Sequence, residues 1–388
     1  MTTTQTSVGS GTGRAPRGGV PGAGRRRGAP QRQSGAGWLF VTPVLVVLGL
    51  FLVVPIVMAL WVSFTDWSGR GSPFSTGVGF VGTDNYRALL AGPGLSQQDF
   101  MISLRNTFYY VIGVVPLQTV GALLLAVIVN QRFLKGRTFF RTAFYFPSVV
   151  SSVAISLVFL FLFTGTGAVN RFLGIFGIDG PTWFSDPRGL IHLVGQGLGL
   201  WSIDRPPSGL NDTVIAGLPV WQWISGPSVA LSAIMLQVVW TTTGTFMLMF
   251  IAALQDLPTE VEEAALVDGA NRWQRFRNVT VPHLRPTILL VVTLGVIGTW
   301  QVFDQMYVMT QGGPAKTTLT PAYLSYQAAF GQQQWGQGAA IAFILFVLIF
   351  VLTSLQRFVL RDKDEAARKR AERRQRRQQR AAGSGAAA

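Results

Sequence analysis

Asp304 is the single carboxylate inside any of the long apolar runs of this 388-residue chain, and Trp300 and Gln301 stand just ahead of it. If that run is helical, Trp300 and Asp304 lie at i and i+4 and share a face. An aromatic ring beside an amide and a carboxylate can stack on a hydroxyl-rich solute and hydrogen-bond to it. A carboxylate at that depth is costly, so it marks a pathway or a structural pair, and both readings stand. A second polar group sits in the run from Val229 to Leu254: Gln237, Trp240, Thr241, Thr242, Thr243 and Thr245. These side chains face protein or water rather than lipid, as solute contacts or as threonines bonded to their own helix. The chemistry on offer is binding and passage, not bond breaking.

Covalent chemistry finds little support. There is no cysteine and there are two histidines, His192 and His283, so thiolate nucleophiles and histidine-rich metal sites are excluded. Gly312-Gly313-Pro314-Ala315-Lys316-Thr317 loosely resembles a phosphate loop but lacks glycine before the lysine and follows no strand. Gly195, Gly197 and Gly199 lack the spacing of a dinucleotide fingerprint. No true nucleotide-binding loop exists in the chain, so it is read as non-enzymatic, with no cofactor of its own.

The elements that position these residues are membrane spans. The chain is 49% hydrophobic and 13% charged, against about 25% charged for a soluble domain. Six runs reach the roughly 20 residues that cross a bilayer: 39–64, 104–129, 143–163, 229–254, 287–310 and 339–360. The first is too long, and too far from the start, for a cleaved signal. Basic residues cluster before Trp38, in 132–141, in 272–285 and after Arg357, which places both ends and the 255–286 loop in the cytoplasm. Arg105 and Arg357 sit at span edges, where they reach the headgroups. The expected organisation is a disordered basic tail over 1–37, a transmembrane domain over 38–360 and a second basic tail over 361–388. Both tails suit anionic lipid; nucleic acid is not an expected partner. An external insertion occupies about 188–226, and its Trp221 and Trp223 rest on the membrane interface or on an external partner.

The 255–286 loop is more than a reversal of direction. Thr259 with Glu262 is a capping-box pattern behind Pro258, and Val261, Ala264 and Ala265 share a face. Gly269 suits a helix stop, Asn271 with Gln274 opens a second helix, and Trp273, Phe276 and Val279 form its apolar stripe. Pro282 is expected to end that helix and Pro286 to begin the next.

These residues resemble the EAA loop of ABC-importer permeases: Glu263, Ala264, Ala265, Asp268, Gly269, Ala270, Phe276, Val279, Val281, Pro282 and Pro286 fall at its spacing. Phe303-Asp304 … Thr310-Gln311-Gly312-Gly313-Pro314 resembles the signature of the carbohydrate branch, with Gln311 as one extra residue. Pro55 … Ser63-Phe64-Thr65-Asp66 and Phe80-Val81-Gly82-Thr83-Asp84-Asn85-Tyr86 are similar to segments common there. The resemblance implies an all-α type I importer permease with six spans and both ends in the cytoplasm of a bacterial-type cell membrane. It implies ATPase coupling through Glu263, Ala264, Ala265, Asp268, Gly269, Ala270, Phe276 and Pro282; the polar groups in the apolar runs give the candidate solute path, Gln237, Trp240, Trp300, Gln301 and Asp304. The implied partners are a second related permease, a cytoplasmic ATPase dimer that binds ATP and magnesium, and an external solute-binding protein. The implied solute is a sugar or oligosaccharide, alternatively glycerol phosphate or another polyol. An ion-coupled secondary transporter would want several intramembrane ionisable groups and an inverted repeat, which the sequence lacks.

Overall fold

The computed structural model describes residues 31–131, 134–202 and 207–359. Residues 1–30 of the N-terminal tail, the C-terminal tail, Arg132 of the second basic cluster, Arg205-Pro206 of the insertion and Leu360 lie outside these residues, whereas 31–37, expected as disordered tail, are the opening turns of a helix that continues into the first apolar run. The chain divides into two compact units, Met1–Ile56 and Val57–Ala388.

In the first unit the helix Gln31–Leu48 runs into a wide π turn, Gly49–Val53, just ahead of Pro55. Proline has no N–H and its ring crowds the carbonyl four residues back. The wide turn relieves this, because the Val54 N–H bonds to the Gly49 carbonyl instead. Pro282 is handled the same way in the second unit: Phe276–Thr280 is a π turn and the Val281 N–H reaches the Phe276 carbonyl. Pro282 therefore does not stop a helix, as the sequence suggests. It sits in the opening turn of Val281–Trp300, and helix continues through it from Arg272.

Three long helices carry the second unit: Leu95–Val129, Val229–Gln255 and Val281–Trp300. Among lipid tails there is little hydrophobic drive between helices, so close packing has to hold them together. Small residues permit it. A Cβ at Gly113 would stand 1.8 Å from Met235 Cε, and one at Gly244 would stand 2.1 Å from the Phe144 carbonyl oxygen. Near the Thr259–Thr280 segment, Val129, Met247, Phe250 and Leu284 form one buried cluster. Towards the opposite end, Phe100, Leu231, Ile234, Met306 and Ile341 form another.

Among the described residues, five helices are long and apolar enough to cross a membrane: Gly37–Val62, Leu95–Val129, Val229–Gln255, the run Arg272–Met309 and Trp335–Phe358. The expected span 143–163 is not one helix. Arg137–Val149 and Ser152–Leu162 meet at 97°, a broken pair that makes a sixth span only if both halves are counted together. Pro147 lies three residues before the bend. The run 287–310 is broken as well. Its helix ends at Trp300 and restarts as Asp304–Met309. The Thr320 hydroxyl, 3.2 Å away, donates to the Val302 carbonyl freed by this break. Such rescue is what lets irregular backbone persist at membrane depth.

The insertion is a small folded layer, with helices Leu190–Gly197 and Val220–Trp223 and the hairpin Val214–Ile215 with Leu218–Pro219. Trp221 is buried, stacked on the His192 ring at 3.9 Å and edge-on to Trp201 at 5.7 Å. It is the core of the insertion and not a membrane-interface residue. The Trp223 indole, half-buried, donates to the Ile215 carbonyl at 3.0 Å. Arg105 does not reach the headgroups either. It is buried, donating to Asn106 Oδ1 at 2.9 Å and to the Gln222 carbonyl at 3.3 Å, because the insertion covers it. Tyr109 donates its hydroxyl hydrogen to the Trp223 carbonyl and pins the layer further.

Candidate functional site

Between the two apolar clusters the three long helices stand apart around a cavity of about 300 Å³, a size at the lower end for small-molecule sites. The Leu95–Val129 helix contributes Tyr110 and Gln118, and Val229–Gln255 contributes Val238, Thr242 and Phe246. The third wall comes from Leu294, Gly295, Gly298 and Thr299 and from the broken stretch Gln301 to Gln305.

Two lining groups are unusual. Tyr110 and Gln118 are each 1% exposed, and neither the Tyr110 hydroxyl nor Gln118 Nε2 has a hydrogen-bond partner among the described residues. A buried polar group left without a partner costs about 1–3 kcal/mol. Both therefore hold unused hydrogen-bonding capacity beside the cavity. The other end of the Gln118 amide is held, since Thr242 Oγ1 lies 2.7 Å from Gln118 Oε1. That hydroxyl is also 2.7 Å from the Val238 carbonyl, and its single hydrogen serves one acceptor at a time. Glycine at 295 makes room for the amide, because a Cβ there would lie 2.4 Å from Gln118 Nε2. Asp304 is the one charged residue of the lining, and no ion pair or hydrogen bond to its carboxylate occurs among the described residues.

The structure separates the sequence-derived candidates. Gln301 and Asp304 line the cavity. Trp300 does not share a face with Asp304, because the helix ends between them; its ring packs with Leu345 and Ile349. Trp240 lies outside the cavity, half-exposed, with its ring 5.6 Å from Phe159. Gln237 is buried against the broken pair, where Nε2 donates to Ser156 Oγ at 3.3 Å and Oε1 is unpartnered. The threonines divide between the two uses the sequence left open. Thr241 and Thr243 donate to their own helix at Val238 and Val239, whereas Thr242 faces the cavity. Gln305 joins both broken stretches, with its Nε2 donating to Ser152 Oγ at 3.0 Å. Tyr110, Thr299 and Gln305 carry no local sequence signal of a shared site.

The second region is the segment from Thr259 to Thr280. Its first helix, Thr259–Val267, starts behind Pro258 as expected, but Thr259 lies inside the helix and makes no capping bond. The stop is as the sequence indicates. Gly269 takes φ +76°, its N–H bonds to Leu266 at 3.0 Å, and the Ala270 N–H bonds to Ala265 at 3.0 Å. This reciprocal pair is the Schellman closure. Asn271 and Gln274 form a complete capping box, with both bonds at 2.8 Å. Trp273 and Phe276 lie 5.7 Å apart, ring to ring. Glu263, Ala264, Asp268, Gly269 and Pro282 are exposed, and Ala265, Ala270 and Phe276 are half-buried. Large apolar side chains share this surface: Val267 is 88% exposed, with Val261, Leu266 and Trp273 also outward.

Residues 97–364 match the family model described as binding-protein-dependent transport system inner membrane component. The lactose transport system permease protein of Rhizobium radiobacter is 30% identical over 330 residues, 84% of this chain and 94% of that protein. The trehalose/maltose transport system permease protein of Thermococcus litoralis is 29% identical over 322 residues, 83% and 92% of the two chains. A solved bacterial ABC transporter involved in import of the acidic polysaccharide alginate superposes with a TM-score of 0.63 at 17% identity, covering 85% of this chain and 96% of that one. A complex of the bacterial alginate ABC transporter with a pentasaccharide-bound periplasmic protein gives 0.63 at 18% identity, covering 85% and 95%.

Proposed function

The chain belongs to the family of binding-protein-dependent transport system inner membrane components, and from that premise we propose that it is the permease subunit of an ATP-driven importer of neutral sugars or oligosaccharides. It is a multi-pass protein of the plasma membrane. The observation that carries the solute class is the cavity. Tyr110 and Gln118, with buried, unpartnered donors, belong to the wall of a space whose single charge is the Asp304 carboxylate. Hydroxyl groups satisfy such donors and accept no penalty from the carboxylate. An anion meets repulsion there and finds no lysine or arginine in the lining. The same chemistry disfavours glycerol phosphate and an acidic polysaccharide such as alginate. Relatives whose names specify lactose and trehalose/maltose support the neutral class.

A second related permease supplies the rest of the path, and an external binding protein delivers the solute. The exposed Thr259–Val267 helix docks on a cytoplasmic ATPase dimer, which holds ATP and magnesium. Its apolar outward residues support that reading, since rigid helices with exposed apolar side chains suit a partner's groove. Closure of the ATPase pair then moves the spans as bodies.

Uptake by the complete importer in proteoliposomes tests the solute class. Lactose, maltotriose and raffinose are offered against glycerol 3-phosphate and an alginate trisaccharide, for wild type and Asp304→Asn. Wild type takes up at least one neutral sugar and neither anion, and Asp304→Asn reduces sugar uptake while the complex still assembles. Transport of an anion in preference to every neutral sugar refutes the assignment.

A further inference from the structure

Six aromatic rings from separate stretches of the chain form one row that ends at the cavity. Phe303, part of the cavity wall, stacks on Tyr307 with centroids 5.5 Å apart and planes 20° apart. Tyr307 meets Tyr326 edge-on at 5.4 Å, and Tyr326 stacks on Phe330 at 5.0 Å. Phe330 meets Trp335 at 4.6 Å, and Trp335 meets Trp67 at 5.4 Å. The row leads away from the Thr259–Thr280 segment, because Trp335 opens the last helix at the end opposite that segment.

The rings are not simply core. Tyr307 is 43% and Phe330 59% exposed, whereas Tyr323, which touches Phe303, Tyr307 and Tyr326, is 7% exposed. An interfacial aromatic belt places single rings at one depth around a protein; this is a contiguous file that terminates in a polar cavity. Its far end is rimmed by the exposed Gln332, Gln333 and Gln334, and Arg70 Nη2 donates to Gln333 Oε1 at 3.0 Å. The rim is tightly built. Gly69, at φ +85°, lies so close to Trp335 that a Cβ would be 2.1 Å from the indole nitrogen. Partly exposed aromatic rings flanked by amides and a guanidinium match the two sides of a sugar ring, its apolar C–H side and its hydroxyl edge.

We propose that the row Trp67, Trp335, Phe330, Tyr326, Tyr307 and Phe303 is a track along which a neutral oligosaccharide slides to the cavity at Asp304. This rests on the sugar reading above. Stacking on one ring is weak and tolerant of sugar identity, so a file of rings holds a chain without trapping it, which is what conduction requires. A longer sugar covers more rings at once and depends on them more.

The test uses the complete importer and the neutral sugars lactose, raffinose, maltotriose and maltopentaose. Phe330→Leu and Tyr307→Leu lower kcat/KM for the tri- and pentasaccharides that wild type takes up by about fivefold, and for a disaccharide by under about twofold, the scale of one lost stacking contact. Phe330→Tyr and Tyr307→Phe, which keep the ring, stay near wild type. Should a leucine variant fail to assemble, Phe330→Cys gives a lone thiol in a chain with no cysteine. Its maleimide labelling slows several-fold under the transported sugar, while that of Phe176→Cys, on an exposed aromatic outside the row, does not. Equal losses for short and long sugars, unaltered uptake by the leucine variants, or unprotected labelling at 330 overturns the track and leaves the importer reading standing. If wild type takes up none of the four sugars, the sugar reading falls and the track with it.

Discussion

Gln118 is held at one end and free at the other. Thr242 fixes its carbonyl oxygen, and its amide nitrogen is buried without a partner. A residue kept for stability is not expected to carry that cost, so substitution separates fold from function. Gln118→Met removes the unpartnered donor and leaves folding unchanged or stabilised by about 1 kcal/mol, because the lost desolvation penalty outweighs one neutral hydrogen bond. Uptake of the neutral sugar falls tenfold or more. Thermal unfolding of the purified complex, measured beside transport, checks the pair; a large loss of stability assigns Gln118 to packing instead. His192 offers a second residue-level test. Burial holds its imidazole below the ordinary histidine range. The bond of Nε2 to the Trp221 carbonyl opposes that shift, and nearby Arg105 adds to it. The folded insertion therefore contains the neutral ring. Its docking is unaffected above the unfolded value of about 6.5 and weakens as pH falls below it, since the undocked segment then binds the proton more readily. Hydrogen exchange over Leu190–Gly197, corrected for intrinsic rate, is faster at pH 5.5 than at 7.5, and His192→Phe abolishes the difference. Identical protection at both pH values in the wild type defeats this expectation.

At the scale of elements, the Thr259–Val267 helix and the capped turn after it form a stiff exposed unit. Gly269 at φ +76° and the Schellman pair set the angle at which the chain leaves the helix. Gly269→Pro cannot adopt that backbone, since proline holds φ near −65°, and it also deletes the bond to Leu266. Gly269→Ala keeps the bond and costs about 1–2 kcal/mol for the left-handed conformation. No side chain packs over Gly269, so the damage is local. The proline variant reaches the membrane in normal amount but loses ATP-driven uptake, and the alanine variant retains part of it. Immunoblotting of membranes beside transport assays decides this, and full transport by Gly269→Pro removes the coupling role. Glu263→Lys on the same exposed surface should behave like the proline variant. The Gly269 stop and the Asn271–Gln274 capping box were legible because each is decided within four residues. The absent Thr259 cap and the helix running on through Pro282 were not. Both depend on where the preceding turn and the π turn place the backbone.

For the whole molecule, the proposed function makes this chain one part of a larger assembly. Gentle detergent extraction should recover the chain with an ATPase pair and a second permease, and a crosslinker at Ala264→Cys should reach the ATPase. Crosslinks that reach only lipid or this same chain tell against the arrangement.

The amino-acid sequence determined the helical class, most of the spans, the two-part Thr259–Thr280 segment and the place of Asp304 within the fifth apolar run, because apolar run length and capping are properties of neighbouring residues. Tertiary structure alone decided what surrounds Asp304. It turned Trp300 away through a helix break at Gln301 and brought Thr242 to Gln118 across 124 residues. It also stacked His192 on Trp221 and brought the Gln222 carbonyl beside them to Arg105. Such contacts depend on where helices cross, and the crossings are set by small residues such as Gly113 and Gly244 meeting distant side chains and backbone, which no local pattern encodes.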